Sequence, residues 1–479
     1  MRLLFFLMPL KRIWGSNVFH FLYLRTGKMR KKLLLINPSS TVTETLSSGK
    51  STRFPPLGLL CIAAAVPENW DVELIDENTE RFRLKEADLV GITSMTFTAP
   101  RAYAIAEQYK KKGIPVVIGG IHASFMPEEA MTFADSIVIG EGESVFPELI
   151  RDFENRKLKR TYRGVRVALK ELKPPRRDIL SSDYLMDSVQ TSRGCPYGCN
   201  FCSVTAFNGR TYRMREIEDV KNEIRGLKKK LLFFVDDNII GVSERAIKLF
   251  KELRHLGKYW IAQSTVEIAD NPEMVKAAYE SGCRVLYIGF ESISSASLKG
   301  MNKKSNLKKG INYYKRAIKV LHEQGIAVWG SFIFGNDGET KEVFYRTLDF
   351  ISTSAIDMVT LPVLTPLPGT LLYETLKKDN RLLYTNYPSD WPQYSFTNVV
   401  FKPQYMSPED LDMGITDIAS HIYTGLRPER QLIKTRLYKG SLSTSLISYA
   451  MMRSFSTMGK KIIKAKKREY NNQGAEQYI

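Results

Sequence analysis

The chain has little cysteine, five residues in 479: Cys61, Cys195, Cys199, Cys202 and Cys283. An odd number, with three inside eight positions, excludes a disulfide framework and suits a reducing compartment in which thiolates are available to metal. A long apolar run is also missing. The early stretch LLFFLMPL, followed by Lys11-Arg12, is too short to span a bilayer, and no small-residue cleavage pattern follows as a secretory signal requires. It reads as an interfacial arm or an over-extended start, with Met29, just before KKLLLINP, as the alternative first residue. Net charge is nearly absent from the body. Of the overall +19, residues 1–32 carry eight Lys/Arg with no acid and residues 427–479 carry twelve against three acids, so the ends hold seventeen of the nineteen charges. A neutral body is a poor nucleic-acid surface. The basic ends are read either as solvated termini or as contacts to anionic lipid, and the expected location is the cytoplasm, with peripheral attachment to a membrane left open.

What is present is a two-part α/β pattern with a hydrophobic fraction of 43%, that of a soluble globular protein. At this length two or three domains are expected. After the arm 1–30, residues 31–160 alternate short apolar strands, LLLIN (33–37), VELID (72–76), DLVGITS (88–94), PVVIGG (115–120) and SIVIGEG (136–142), with helical stretches such as Pro100–Lys112. That order predicts a flavodoxin-like, Rossmann-type doubly wound sheet whose ligands sit beyond the strand C-termini. A polar, proline-containing connection is placed at 161–185. A second βα series follows in 186–400, with strands near 187–191, 231–236, 259–264, 284–290, 326–334 and 357–364. Six such units predict a partial (β/α)6 TIM-like barrel, with chemistry at the strand C-termini. Residues 401–479 read as a helical, basic region to which no chemistry is assigned.

The segment TSRGCPYGCNFCSV places Cys195, Cys199 and Cys202 at CxxxCxxC spacing, just where the first barrel strand ends. Three thiolates on a four-iron cube leave one iron open to a small molecule. Zinc is the competing metal. A structural zinc site wants four ligands, and no second cysteine or histidine pair follows at finger spacing.

On this loop, with Phe201 before the last cysteine, the chain resembles the radical S-adenosylmethionine (SAM) superfamily from about Asp187 to Leu376. The resemblance implies a [4Fe–4S] cluster on the three cysteines, SAM chelated to the open iron by its amino and carboxylate groups, and one-electron cleavage of SAM to methionine and a 5′-deoxyadenosyl radical that abstracts a substrate hydrogen. It also implies SAM contacts from Phe201; from Asp236, Asp237 and Asn238 after the second strand, beside the amino group although the family's usual Gly-Gly-Glu is absent; and from Gln263, Ser264, Glu291 and Ser292 at the next strand ends, near carboxylate and ribose. Gly335 after the fifth strand and TPLPGT (365–370) after the sixth resemble the adenine-side and cap loops. Helix capping by the aspartates and ordinary turn use of the glycines are the plainer alternatives.

The first domain resembles the cobalamin-binding module of one radical SAM branch, through PPLGLLCIAA (55–64), Ser94 in GITSMT, Gly119-Gly120 in IGGIHAS, and Gly140, Glu141 and Gly142 in IGEGE. By that resemblance these residues take cobalamin, the serine and glycine pair leaving room for its nucleotide tail. The mutase-type DxHxxG is absent. NPSSTVTE (37–44) stands after the first strand, so cobalamin is expected base-off without a histidine ligand. His122 is expected as a buried structural residue, and Cys61 and Cys283 as small buried hydrophobes, too few and too far apart for the second cluster of methylthiotransferases. The resulting expectation is a cobalamin-dependent methyltransferase acting at an unactivated carbon of a small-molecule or lipid-like substrate, fed by an electron donor such as a flavodoxin or ferredoxin. A cyclase or rearrangement enzyme of the same build is the alternative, and a non-enzymatic membrane- or nucleic-acid-binding protein the more distant one.

Overall fold

A computed structural model describes residues 30–39, 53–180, 184–424 and 441–476, together with 429 and 433. The N-terminal arm and most of the loop after the first strand lie outside the described residues. The first sheet contains β1 (Lys31–Asn37), β2 (Trp70–Asp76), β3 (Leu89–Thr93), β4 (Val116–Gly119), β5 (Ser136–Ile139) and β6 (Thr161–Arg163), all parallel, in the order β2-β1-β3-β4-β5-β6. Strand order reverses between β1 and β3, which opens the crevice that doubly wound sheets use for ligands. Leu33 to Ile36 are all buried, as a central parallel strand covered on both faces demands. Leu33 and Leu35 meet the helices Leu57–Ala65 and Phe146–Glu154 on one face, while Leu34 and Ile36 meet the helix Ala99–Lys110 on the other.

The sixth strand falls at the start of the stretch expected to be a connection, 161–185. Its three residues, Thr-Tyr-Arg, carry no apolar run to announce it. Pairing with β5 and burial of Tyr162, whose hydroxyl donates to Asp152 at 2.9 Å, supply what local sequence does not.

The second sheet begins with β7 (Asp187–Val189). A short antiparallel pair, β8 (Ser192–Arg193) and β9 (Arg213–Met214), brackets the cysteine segment. Then come β10 (Leu231–Phe234), β11 (Tyr259–Ser264), β12 (Cys283–Glu291), β13 (Ala327–Phe332) and β14 (Met358–Thr360). With β7 they form six parallel strands in sequence order, and among the described residues β7 and β14 do not pair, so the barrel is open.

The C-terminal region packs on the inner face of β11 to β14. The helix Leu442–Glu476 lays Met451 and Phe455 against Ile261, Val285, Ala327 and Met358 on the inner strand face, with Phe455 against the Trp329 ring at 4.7 Å. Thr444 Oγ1 donates to Gly325 O at 2.8 Å and fixes its start. The helix Pro408–Tyr423, opened by a Ser407/Asp410 capping box, packs beside it. No helix among the described residues is long and apolar enough to cross a membrane.

One buried cluster holds the first domain to the segment after the last barrel strand. The Glu129 carboxylate faces His122 Nε2 at 3.1 Å, accepts from Tyr103 at 2.8 Å, and accepts from the indole of Trp391 at 3.0 Å. His122 is buried at 1% exposure, and Tyr387 stacks on Trp391 with ring centroids 3.7 Å apart. Burial pushes the Glu129 carboxyl up, but the bonds from His122, Trp391 and Tyr103 outweigh it and hold the group below the ordinary carboxylate range. A depressed carboxyl stabilises the folded state above its unfolded pKa, and that contribution is lost as pH falls through the folded value. Glu129→Ala is therefore expected to cost about 3 kcal/mol at neutral pH by leaving buried donors unpaired. Thermal unfolding followed against pH checks it. The wild type should lose midpoint as pH falls below the ordinary carboxylate range, and the gap to the variant should close there.

Candidate active site

The cysteine loop grows from a buried carboxylate. Asp236, two residues past β10, is wholly buried, and its oxygens accept from Thr191 N at 3.0 Å, Thr191 Oγ1 at 2.7 Å and Ser192 Oγ at 2.5 Å. Asp237 Oδ2 accepts from Gly194 N at 2.8 Å. Burial pushes both carboxyls up, and the bonds to Thr191, Ser192 and Gly194 pull against it. Asp236, expected beside the amino group of SAM, uses these oxygens to hold the root of the loop. Asn238 is likewise buried and engaged locally, its Oδ1 facing Ile240 N at 3.4 Å and its carbonyl accepting from Tyr212 at 3.0 Å.

Beyond this root the loop curls tightly. Gly194 has φ +89°, and a Cβ there would collide with the carbonyl of Thr211. The far side is pinned by Asn302 Nδ2 on Gly198 O and Asn200 Nδ2 on Gly300 O, both at 2.6 Å. Cys195 and Cys202 are half-buried and Cys199 is buried, and all three are free thiols. Burial pushes the Cys199 thiol up to about 11, against the pull of the Lys303 ammonium. Among the described residues no three His, Cys, Asp or Glu side chains converge as a ready-made metal site; the donor set consists of three thiols on one curled loop. Three soft donors without a fourth suit an iron–sulfur cube with one open iron better than a structural zinc.

The loop stands between two cavities. The first, about 370 Å³, lies at the C-terminal ends of β3, β4 and β5 and is closed from the barrel side by Gln190, Arg193 and Asp237. Gly119, Gly120, Gly140, Glu141 and Gly142 all line it. Gly120 has φ +98°, and a Cβ there would stand 2.7 Å from Ser94 O and 2.8 Å from Ser94 N. Ser94 Oγ is buried and finds no hydrogen-bond partner among the described residues. The glycines leave room for a bound cofactor between side chains such as Leu57, Ile62 and Val138, and Ser94 itself is not among the residues that line the cavity. Glu141 does not face a ligand freely. It forms ion pairs with Arg213 and with Arg193, the latter at 3.5 Å, and accepts from Val167 N at 2.8 Å. Burial pushes its carboxyl up, and these partners more than offset that, so it stays charged and ties the first domain to the β8/β9 hairpin.

The second cavity, about 510 Å³, runs from Phe201 past Gly289, Glu291, Ser331 and Thr365 to the C-terminal helix. Glu291 sits at φ +63°, and its carboxylate pairs with the buried Lys303 ammonium at 2.7 Å. Lys303, which the sequence reading does not single out, is felt by Cys199 and Cys195 as well. Ser264 and Gln263 end β11 but line neither cavity. Ser264 Oγ donates to Thr265 O at 3.0 Å, and the Gln263 carbonyl accepts from Ile239 N at 3.0 Å. Ser292 Oγ donates to Glu339 at 3.1 Å, and Glu339 also accepts from the N–H groups of Gly335 and Asn336 at 2.9 and 3.2 Å. Burial pushes the Glu339 carboxyl up against those bonds. Gly335, at φ +100°, gives its N–H to Glu339 and packs against Leu411, 2.7 Å from where its Cβ would lie. Sequence reasoning missed Lys303, Glu339 and the cavity-lining helix. Only the Glu and Lys spacing around GFES offered a hint.

Comparison with known proteins places this geometry. Residues 51–150 match the B12 binding domain family, and residues 189–351 match the radical SAM superfamily. Bacteriochlorophyllide d C-12(1)-methyltransferase of Chlorobaculum tepidum is 33% identical over 414 residues, covering 83% of this chain and 88% of that one. The chain belongs to the B12-binding branch of the radical SAM superfamily. Within that branch, bacteriochlorophyllide d C-8(2)-methyltransferase of the same organism is 29% identical, over 77% of this chain and 85% of its own length. The fold is shared with the radical SAM methyltransferase TsrM of Kitasatospora setae, solved with cobalamin and a [4Fe–4S] cluster bound, at TM-score 0.64 and 16% identity, covering 91% of this chain and all of that one.

Asp236→Ala should leave the Thr191 and Ser192 donors without an acceptor. The expected cost is about 3 kcal/mol, since each buried unsatisfied donor costs about 1–3 kcal/mol. Iron per chain after anaerobic reconstitution should fall below half of wild type, and the thermal midpoint should drop. Ser264→Ala, which loses one bond to a neighbouring carbonyl, should change neither. Wild-type iron in Asp236→Ala would show that the loop is positioned by other contacts.

Proposed function

We propose that the chain is a cobalamin-dependent radical SAM methyltransferase acting at an unactivated carbon of a small-molecule or lipid-like substrate. The observation that carries the reading is the position of the cysteine loop between a glycine-floored cavity of the first domain and an apolar cavity of the barrel. When bound, the cluster with SAM supplies hydrogen abstraction from the substrate, and cobalamin supplies the methyl group. Cys195, Cys199 and Cys202 would hold the cluster, with Phe201 covering its barrel side. Lys303, fixed by Glu291, keeps a cation next to the thiols, where it favours anionic sulfur and an anionic carboxylate. Asp237, exposed to the first cavity while bonded to Gly194, ties that cavity's wall to the loop. Ser94, Gly119, Gly120, Gly140 and Gly142 would take cobalamin, with Glu141 holding the domain that carries them against the barrel.

The units that do this are residues 31–160 and 186–400, the first for cobalamin and the second for SAM. Electrons would come from a flavodoxin- or ferredoxin-type donor in the cytoplasm, and the basic ends would add contact with an anionic membrane surface. Relatives named as methyltransferases of bacteriochlorophyllides support transfer of a methyl group over ring closure. Anaerobic incubation of reconstituted protein with methyl-labelled SAM, a reductant and either a chlorophyllide methyl ester or a hopanoid distinguishes the two. A product carrying the labelled methyl on carbon is expected. A ring-closed product without label would move the assignment to a cyclase.

Replacing any one of the three cysteines by Ala should remove cluster iron and sulfide and abolish 5′-deoxyadenosine formation while leaving the protein folded. Iron, sulfide and nucleoside analysis checks this. A four-iron spectrum that survives loss of all three would sink the assignment.

A further inference from the structure

The barrel cavity is walled on one side by the C-terminal helix, a segment outside both matched families. Met458, Gly459, Ile462, Ile463 and Lys466 of the helix Leu442–Glu476 reach it. Among the described residues lining the cavity only Glu291 and Lys466 are charged. Each is matched within the protein: Glu291 by Lys303 at 2.7 Å, and Lys466 by Asp412 of the helix Pro408–Tyr423. The remaining surface is mainly apolar, with hydroxyls from threonines such as Thr360 and Thr416. Its volume, about 510 Å³, is shared with SAM, whose expected contacts Phe201 and Glu291 line the opposite end from the helix, so the substrate is left the helix side.

We propose that this helix is the specificity wall of the enzyme and that it selects an uncharged, predominantly apolar substrate body. The proposal rests on the function given above and names its substrate class. A substrate carboxylate pushed among Ile333, Val363, Ile462 and Ile463 would lose its hydration without gaining a free cation, because both cavity charges are already paired. An uncharged ring or chain loses little on entry and gains contact with the isoleucines. The neutralising contact is Asp412 on Lys466. Without it the wall would present a bare ammonium and favour anions.

Two probes with one ring test this: pyrenebutanol, which is uncharged, and pyrenebutyrate, which is its carboxylate counterpart. Each is titrated into full-length, cluster-reconstituted protein saturated with SAM, and pyrene emission is followed. Pyrenebutanol is expected to bind at least about tenfold more tightly than pyrenebutyrate. Ile462→Trp, which fills the cavity, should weaken pyrenebutanol at least about tenfold at unchanged iron content, and Ile463→Ala, which enlarges the same wall, should change its affinity in a second, independent variant. Asp412→Asn should strengthen pyrenebutyrate and narrow the preference. Equal affinity for the two probes in the wild type, or pyrenebutanol binding unaltered by both isoleucine variants, overturns the proposal. Because the titration needs no turnover, expected probe binding in a protein that transfers no methyl group would uphold the wall and refute the methyl-transfer reading alone.

Discussion

The carboxylate of Asp236 is the constraint on which the site depends. A carboxylate with no access to water must have its oxygens satisfied, and here the satisfying donors are Thr191 and Ser192, the residues that open the cysteine loop. β7, the strand before that loop, is three residues long and lies at the open edge of its sheet, so ladder bonds alone would hold the loop weakly. The aspartate ties it to the better-paired β10. Asp237 extends the tie to Gly194, where the curl of the segment that carries the three thiols begins.

The loop is in turn fixed to the first domain. Arg193, next to Gly194, reaches Glu143 at 2.6 Å and Glu141 at 3.5 Å, and Arg213 on the paired strand reaches Glu141 too. These ion pairs are largely out of solvent, where removing one partner is costly because the other is left as an uncompensated charge. The cavity beneath the glycines and the thiol loop therefore share walls, and a shift of one carries the other. That coupling is what two-cofactor chemistry needs from the chain, since the reacting groups must meet at fixed separation.

Period and spacing made much of this legible. The apolar runs from LLLIN to SIVIGEG and the six later strands all stand in the structure close to where the pattern puts them, because parallel strands covered on both faces must be apolar nearly throughout. CxxxCxxC is equally plain, being chemistry confined to eight residues. What the pattern does not show is which partners distant residues supply. Asp236 and Asp237 look alike in VDDN, yet only the fold shows that one is sealed under Thr191 while the other borders a cavity. The pattern around Gly335 is silent about Leu411, which packs against it from a helix far along the chain. Thr161–Arg163 is a strand because β5 offers it an edge.

The C-terminal region shows the same limit from the side of charge. Counted along the sequence, residues 427–479 are a basic tail. Folded at about 3.6 residues per turn, the helix presents Met451, Phe455, Gly459 and Ile463 at intervals of four to the barrel interior, while Lys460, Lys461 and Lys464 stay exposed. Gly459 is the close-approach point: a Cβ there would stand 2.5 Å from the Tyr423 ring, so the helix can sit against its neighbour only because that side chain is absent. Net charge thus describes the outward face and is silent about the inward one. A segment whose sum suggested solvent or lipid carries, on its other face, a wall of the cavity beside the cysteine loop, and the lysine that turns inward, Lys466, does so only with Asp412 to meet it.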